Sequence, residues 1–179
     1  MTSPSPLAPA LDSLTLHPYL DESGQISTEF QGKVGIYGIF DADQTLQYVG
    51  YSRDVTQSLR QHLVRQPQAC HGYKVQTVDR PSRTLLEDIR TAWMAEAGGT
   101  PPGNLNEAAW TQAIDAKATM TAAEQAEYAA LDELGQIKYL KKIARRLEAE
   151  ILETLKARGV QMELRFNPKL KEEGLLDLK

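Results

Sequence analysis

The chain of 179 residues is poor in the residue types that build disulfide scaffolds, zinc centres and membrane spans. It has one cysteine, Cys70, which excludes an internal disulfide and a four-cysteine zinc site. No apolar run approaches the ~20 residues that cross a bilayer, so no membrane partner is expected. A secretory signal begins with basic residues, whereas no lysine or arginine precedes Lys33. The sequence therefore predicts a soluble, cytoplasmic protein.

Positive charge is also in slight deficit. Twenty lysines and arginines against 24 aspartates and glutamates give a net charge of −4. Because non-specific affinity for DNA comes chiefly from basic residues that meet phosphates, this balance disfavours binding over the whole surface. Any nucleic-acid site is expected to be local.

The pattern of residues divides the chain into three regions. Residues 1–32 have no regular period and three prolines among the first nine positions, which predicts a flexible leader and a covering loop. Residues 33–104 alternate strand-like and helical runs and form the predicted core. Residues 105–179 are predicted as a helical extension packed on that core, with a long helix between Thr121 and Arg158 and a last strand at 160–166. The expected fold class is α+β.

Two strand-like runs near the start of the core predict a β-hairpin. KVGIYGIF and TLQYVG are joined by DADQ, which has the chemistry of a turn. If Ala42 and Asp43 centre the turn, Tyr37 and Tyr48 lie opposite each other on one side of the sheet. Taken alone, this pair is typical of cross-strand packing.

These tyrosines stand in a motif that resembles a known family. Gly35-Ile36-Tyr37, followed by Tyr48-Val49-Gly50, resembles the signature of the GIY-YIG nuclease superfamily, and the likeness extends over about residues 33–104. The runs LQYVGYSRDVTQSLRQHL and AWMAEAGGTPPGN resemble more closely the GIY-YIG-like domain of plant chloroplast monothiol glutaredoxins and its stand-alone cyanobacterial relatives. The resemblance implies a small three-stranded antiparallel sheet flanked by helices, and a cyanobacterial source.

The family likeness also implies a catalytic site. Glu87 would hold Mg²⁺ or Mn²⁺, Tyr37 would orient or deprotonate the attacking water, and Tyr48 would support it. His62 would assist Tyr37 or bind a phosphate oxygen. The proline-containing loop that ends at Asn104 resembles a further loop of the family, which makes Asn104 a candidate site residue. The implied activity is metal-dependent cleavage of DNA strands.

One position departs from the family pattern. The arginine expected ten residues after the second tyrosine is Ser58 here, and serine supplies no positive charge to the transition state. Arg60 lies two residues further along a helix and is expected to point away, whereas Arg53 lies near the helix start. The alternative function is therefore a catalytically degenerate GIY-YIG module that binds a protein partner or nucleic acid.

A basic run in the predicted long helix offers a second candidate surface. Lys138, Lys141, Lys142 and Arg145 are spaced to share a helix face, and Arg146 follows them directly. Such a stripe is typical either of a track for phosphates or of an ordinary solvated face. The same helix is the candidate surface for a protein partner.

Cys70 is the remaining candidate. It lies beside His71 in PQACHGY, which is predicted to be an exposed loop. A neighbouring histidine lowers a thiol pKa when it is protonated, so Cys70 is a candidate redox site, with an inert thiol as the alternative.

Overall fold

The computed structural model describes residues 9–179. The chain forms two compact units, one ending at Thr111 and the other spanning Gln112–Lys179. Together their elements confirm the predicted α+β class. In the described part of the chain, no helix is long and apolar enough to cross a membrane. The first unit includes residues 105–111, where the carbonyls of Trp110 and Ala109 accept hydrogen bonds from the side chains of Arg65 and Gln66.

The first unit is built around a four-stranded antiparallel sheet. In chain order the elements are β1 (His17–Pro18), β2 (Gly35–Phe40), β3 (Leu46–Ser52), α1 (Val55–Arg65), β4 (Gly72–Thr77), α2 (Arg83–Glu96), α3 (Pro102–Leu105) and α4 (Glu107–Thr111). The strand order is β1-β4-β2-β3. The three predicted strands are therefore present, and β1 is an additional strand beside β4.

The predicted leader contributes to this unit from residue 9 onward, whereas residues 1–8 lie outside the described part. Leu11, Tyr19 and Ile26 are buried, and β1 pairs with the first residues of β4. The carboxylate of Glu96 accepts hydrogen bonds from the backbone amides of Leu11 and Asp12. Scattered large apolar residues, rather than a regular period, hold this segment against the core.

The hairpin of β2 and β3 has a different register from the predicted one. Tyr37 lies opposite Gly50 and Tyr48 opposite Ile39, with an irregularity between Ile39 and Phe40. The predicted pairing of Tyr37 with Tyr48 is wrong because the loop is longer than a two-residue turn. The carboxylate of Asp41 accepts hydrogen bonds from the amides of Asp43 and Thr45 and so organises this loop.

The register shift amounts to two residues, so both tyrosines stay on one face of the sheet. They are diagonal neighbours, with ring centroids 6.3 Å apart. Intervening residues point to the other face, where Ile36 and Val49 pack against Ile89 and Trp93 of α2. The sheet therefore has a tyrosine face toward α1 and an aliphatic face toward α2.

Capping side chains set the starts of the two long helices of this unit. Asp54 caps α1 by accepting a hydrogen bond from the amide of Gln57. Ser82 caps α2 through the amide of Leu85. Both contacts satisfy an amide that a helix start otherwise leaves without a partner.

The second unit is mainly helical. Its elements are β5 (Ile114–Asp115), α5 (Ala122–Ala129), α6 (Glu133–Ala157), α7 (Pro168–Lys171) and β6 (Leu175–Leu176). The predicted capping box of Thr121 and Glu124 is present. The predicted long helix is confirmed as α6, but it begins later than Thr121: α5 ends at Ala129, and Asp132 caps the separate α6 by accepting from the amide of Gly135.

The predicted last strand at 160–166 is also wrong. Only Phe166 of this segment pairs, in an isolated bridge with Leu178. The alternation in VQMELRF resembles that of a strand, but within residues 9–179 no neighbouring strand pairs with 160–165. The two-stranded sheet of this unit is formed instead by β5 and β6.

Candidate functional site

Tyr37 and His62 form the centre of the candidate site. Tyr37 stands on the central strand β2, and His62 lies on the face of α1 that packs against it. The Tyr37 hydroxyl and His62 Nε2 share a hydrogen bond of 2.7 Å. Both side chains are 3% exposed. The structure therefore brings together two of the residues that the family likeness assigned to catalysis.

Tyr48 and Trp110 cover this pair. Their rings stack with centroids 4.9 Å apart and planes 4° from parallel. The Tyr48 ring also lies 4.9 Å from the His62 ring, and Trp110 lies 5.5 Å from it. Tyr48 and Trp110 are 5% and 4% exposed. The four rings form a packed aromatic cluster with its polar atoms inside.

Gly50 makes room for this cluster. It lies opposite Tyr37, and a Cβ atom at position 50 would stand 2.7 Å from Tyr48 Cε1 and 2.9 Å from the Tyr37 hydroxyl. Real Cβ atoms essentially never show such a distance. The second glycine of the motif is thus required by the packing of the two tyrosines.

Burial keeps both side chains of the Tyr37–His62 pair in their neutral forms. Burial, and next the positive charge of Arg65, lowers the pKa of His62 from its usual 6.5 to about 3. Burial, with a smaller contribution from Tyr48, raises the pKa of Tyr37 well above its usual 10. Near neutral pH both groups are uncharged. The pair is a neutral hydrogen bond that shows no activation of the phenol toward phenolate.

The positive charges near Tyr37 differ from those proposed from the sequence. Arg65 and Arg90 act electrostatically on Tyr37 and Tyr48. Arg65 donates to the carbonyl of Trp110 at 2.9 Å, and Arg90 bonds to the carbonyl of Val49 and to the carboxylate of Glu107. Both guanidinium groups thus bond to protein atoms. Arg65 lies one helical turn after His62. This spacing places both side chains on one face of a helix, and it could have identified Arg65 from the sequence.

Ser58 stands where the resemblance implied an arginine. Its hydroxyl donates to Ser52 Oγ at 2.6 Å, and Ser52 in turn donates to the carbonyl of Asp54. Arg60 is half-buried on α1, and Arg53 is exposed before that helix. Neither is among the charges that act on Tyr37.

Glu87 belongs to the other face of the sheet. Its Oε1 accepts a hydrogen bond of 2.6 Å from the hydroxyl of Tyr51, whose side chain packs with the α2 core. Its Oε2 lies 3.5 Å from Arg90 Nη1. The hydrogen bond from Tyr51, followed by the charge of Arg90, lowers the pKa of Glu87. The structure does not join Glu87 to the Tyr37–His62 pair.

This arrangement does not fit a divalent metal. Mg²⁺ and Mn²⁺ take oxygen ligands and favour uncompensated carboxylates. Within residues 9–179 there is no group of three or more histidine, cysteine, aspartate or glutamate side chains placed to hold a metal ion. Glu87, the one carboxylate assigned to this role, is already paired with Arg90 and Tyr51.

Asn104 has a structural partner. Its side-chain oxygen accepts from the amide of Val49 at 2.8 Å, and its side-chain nitrogen donates to the carbonyl of the same residue at 2.8 Å. Val49 lies on β3, an edge strand of the sheet. The amide of Asn104 therefore takes the place of a neighbouring strand at this point.

The basic run of the second unit is partly neutralised. Lys141 pairs with Glu172 at 3.3 Å, and Arg146 pairs with both carboxylate oxygens of Glu124. Lys142 lies over the ring of Tyr139. Lys138 and Arg145 are exposed. The helix face carries fewer available charges than the sequence suggested.

Cys70 is not in an exposed position. Its side chain is fully buried and lies close to the Tyr19 hydroxyl. The prediction of an exposed loop is wrong because β1 and the segment after it cover this stretch of chain: the amide of Tyr19 bonds to the carbonyl of His71. Burial disfavours the thiolate that redox chemistry requires.

Comparisons with known proteins add one relative. No family model matches the chain. It is 35% identical over 74 residues to "Bifunctional monothiol glutaredoxin-S16, chloroplastic" of Arabidopsis thaliana. The match covers 39% of this chain and 25% of that protein. The chain thus spans about a quarter of the length of the curated relative it matches.

Proposed function

We propose that residues 33–104 form a catalytically degenerate GIY-YIG-like module, which binds nucleic acid without cutting it. The sequence motif and the match to a plant monothiol glutaredoxin support the family likeness. We infer the loss of cleavage from one observation: the Tyr48–Trp110 stack covers the Tyr37–His62 pair. A phosphodiester cannot reach a hydroxyl that is sealed in an aromatic cluster.

The surrounding charges support the same conclusion. Phosphoryl transfer needs positive charge or a metal at the reacting phosphate. Ser58 supplies none, and Glu87 is neutralised by Arg90 on the opposite face. Losing one such cation commonly reduces the rate about a thousandfold.

The distribution of charge supports the binding of nucleic acid by the GIY-YIG-like module. Residues 33–104 hold eight lysines and arginines against seven aspartates and glutamates, whereas the whole chain has a net charge of −4. Arg53 and Arg83 are exposed, and within residues 9–179 neither guanidinium has a hydrogen bond or ion pair. Such cations supply the contacts to phosphate that anchor nucleic acid.

Metal-dependent strand cleavage is the second candidate function. The observation in its favour is geometric: the Tyr37 hydroxyl and His62 Nε2 are 2.7 Å apart, which is within reach for proton transfer to a base, although burial disfavours the charged forms of both groups. This function would require Trp110 to leave the cluster, and Glu87 to be released from Tyr51 and Arg90 before it could hold Mg²⁺ or Mn²⁺.

A strand-integrity assay separates the two functions. A 5′-labelled single strand and a supercoiled plasmid are incubated with the full chain in Mg²⁺ and in Mn²⁺, beside Tyr37→Phe, Glu87→Ala and Trp110→Ala. We expect salt-dependent binding of the labelled strand, measured by anisotropy, and intact substrates in every sample.

Cleavage by the wild type that Tyr37→Phe and Glu87→Ala lose would overturn the proposal in favour of an active nuclease. Cleavage by Trp110→Ala that is lost on adding Tyr37→Phe would show a latent nuclease under an aromatic lid, and would overturn it as well. An absence of strand binding would also count against it, and would leave a protein partner as the next ligand to seek.

A further inference from the structure

A cavity lies between the end of β3 and the start of α2. It has a volume of about 600 Å³, within the range of small-molecule sites. Val34, Tyr51, Pro81 and Leu86 provide apolar and aromatic walls. Because Tyr51 and Leu86 belong to the α2 core, this cavity is separate from the tyrosine face that the family motif singles out.

Two arginines line the same cavity from different elements. Arg53 comes from the link between β3 and α1, and Arg83 is the first residue of α2. The charge of Arg83 acts on the nearby carboxylate of Glu87, but Glu87 accepts from Tyr51 and pairs with Arg90 instead, and in the described residues neither cavity arginine forms an ion pair. The two guanidinium groups are thus left to bind an external anion. Arginine matches phosphate geometry through paired N–H donors.

We infer that this cavity binds the phosphate of a nucleotide, with the base against the apolar wall that contains the Tyr51 ring. Aromatic rings and guanidinium planes both stack on bases, and arginines hold the phosphate. The ligand is either a free nucleoside monophosphate or the phosphorylated end of a strand. This inference rests on the proposed function, because it gives the binding module its ligand and the place where it binds.

The test measures binding of adenosine 5′-monophosphate to the full chain by isothermal titration calorimetry. The variants are Arg53→Gln and Arg83→Gln, with Arg80→Gln as the matched control, since Arg80 is an exposed arginine outside the cavity walls. Adenosine and inorganic phosphate are the matched ligand controls. All the variants change exposed side chains, and circular dichroism checks their folding.

We expect each cavity variant to weaken the affinity for adenosine 5′-monophosphate by about tenfold, and Arg80→Gln to leave it unchanged. Adenosine lacks the phosphate. We therefore expect the wild type to bind adenosine no more tightly than the cavity variants bind adenosine 5′-monophosphate. Competition by a 5′-phosphorylated oligonucleotide, but not by its unphosphorylated form, would identify a strand end as the source. Without competition, the free nucleotide is the ligand.

Three results would overturn the inference. The first is no detectable binding of the nucleotide. The second is a loss of affinity in Arg80→Gln equal to that in the cavity variants. The third is that inorganic phosphate binds as tightly as the nucleotide. If the nucleotide titration fails in one of these ways while an oligonucleotide still binds the wild type, the inference is overturned and the proposed function stands. Strand cleavage would instead overturn the proposed function and leave the nucleotide titration valid.

Discussion

Asn104 holds the edge of the sheet through Val49, with its side-chain amide bonded to both the amide and the carbonyl of that residue. An edge strand otherwise presents such groups to solvent or to another chain. Val49 is fully buried and belongs to the YIG part of the motif. The loop that resembles a family site therefore fixes the strand that carries Tyr48.

Replacing Asn104 with alanine should destabilise the fold. The change removes two hydrogen bonds to a buried backbone unit, and we expect a loss of about 2 kcal/mol in the free energy of unfolding. Urea denaturation measures the loss, and hydrogen exchange should show reduced protection of the Val49 amide. Asn106→Ala is the matched control, because that side chain is exposed. An equal effect of both variants would refute the pairing role.

Gly50 should tolerate no side chain. Alanine at this position would place its Cβ within 3 Å of both motif tyrosines, so we expect a loss of roughly 1–3 kcal/mol in stability, as for other overpacked cores. Gly38→Ala is the control on the neighbouring strand, where the nearest atom is 3.2 Å away in the flexible Leu46 side chain. Comparable urea midpoints for the two variants would contradict this account.

The sequence predicted the parts of the fold that short-range patterns determine. The strand runs of the hairpin and the capping box of Thr121 and Glu124 follow from local spacing, whereas the proximity of Tyr37 to His62 was expected from the family resemblance. The register of the hairpin could not be predicted from local spacing, because it depends on how the Asp41 carboxylate organises the loop. Likewise, the break before α6 depends on a cap by Asp132 that competes with a continuous helical pattern.

The sequence named Tyr37, Tyr48 and His62 as site residues, but it predicted neither Trp110 beside them nor the burial of all four side chains. Nothing in the pattern around Trp110 indicates that it stacks on Tyr48, some 60 positions earlier in the chain. The same limit applies to Glu87, since the alternation of β3 places Tyr51 and its glutamate partner on the face opposite Tyr48. Long-range packing decides which polar groups of a motif reach solvent.

The buried His62 should make stability depend on pH. Its pKa is about 3 in the folded protein against a usual 6.5, so the unfolded chain binds a proton that the folded protein excludes between these values. Stability is therefore full above pH 6.5 and falls as the pH decreases, by up to about 1.4 kcal/mol per unit.

His62→Gln should remove this contribution. The variant keeps a polar side chain beside Tyr37 but has no titratable group. Urea denaturation between pH 7 and 5 is expected to show a shallower decline for the variant than for the wild type. Parallel curves would mean that His62 titrates normally and that the aromatic cluster opens readily to water.

Cys70 should be inert in the native protein. The thiol is fully buried, so it reaches a reagent only when the structure opens, at a rate set by the free energy of opening. We expect Ellman's reagent to label one thiol per chain within minutes in urea, and negligibly over the same time in buffer. Tyr19→Phe is the informative variant, because it removes the hydroxyl next to the thiol while retaining the ring. Rapid labelling of the native wild type would restore Cys70 as a redox candidate.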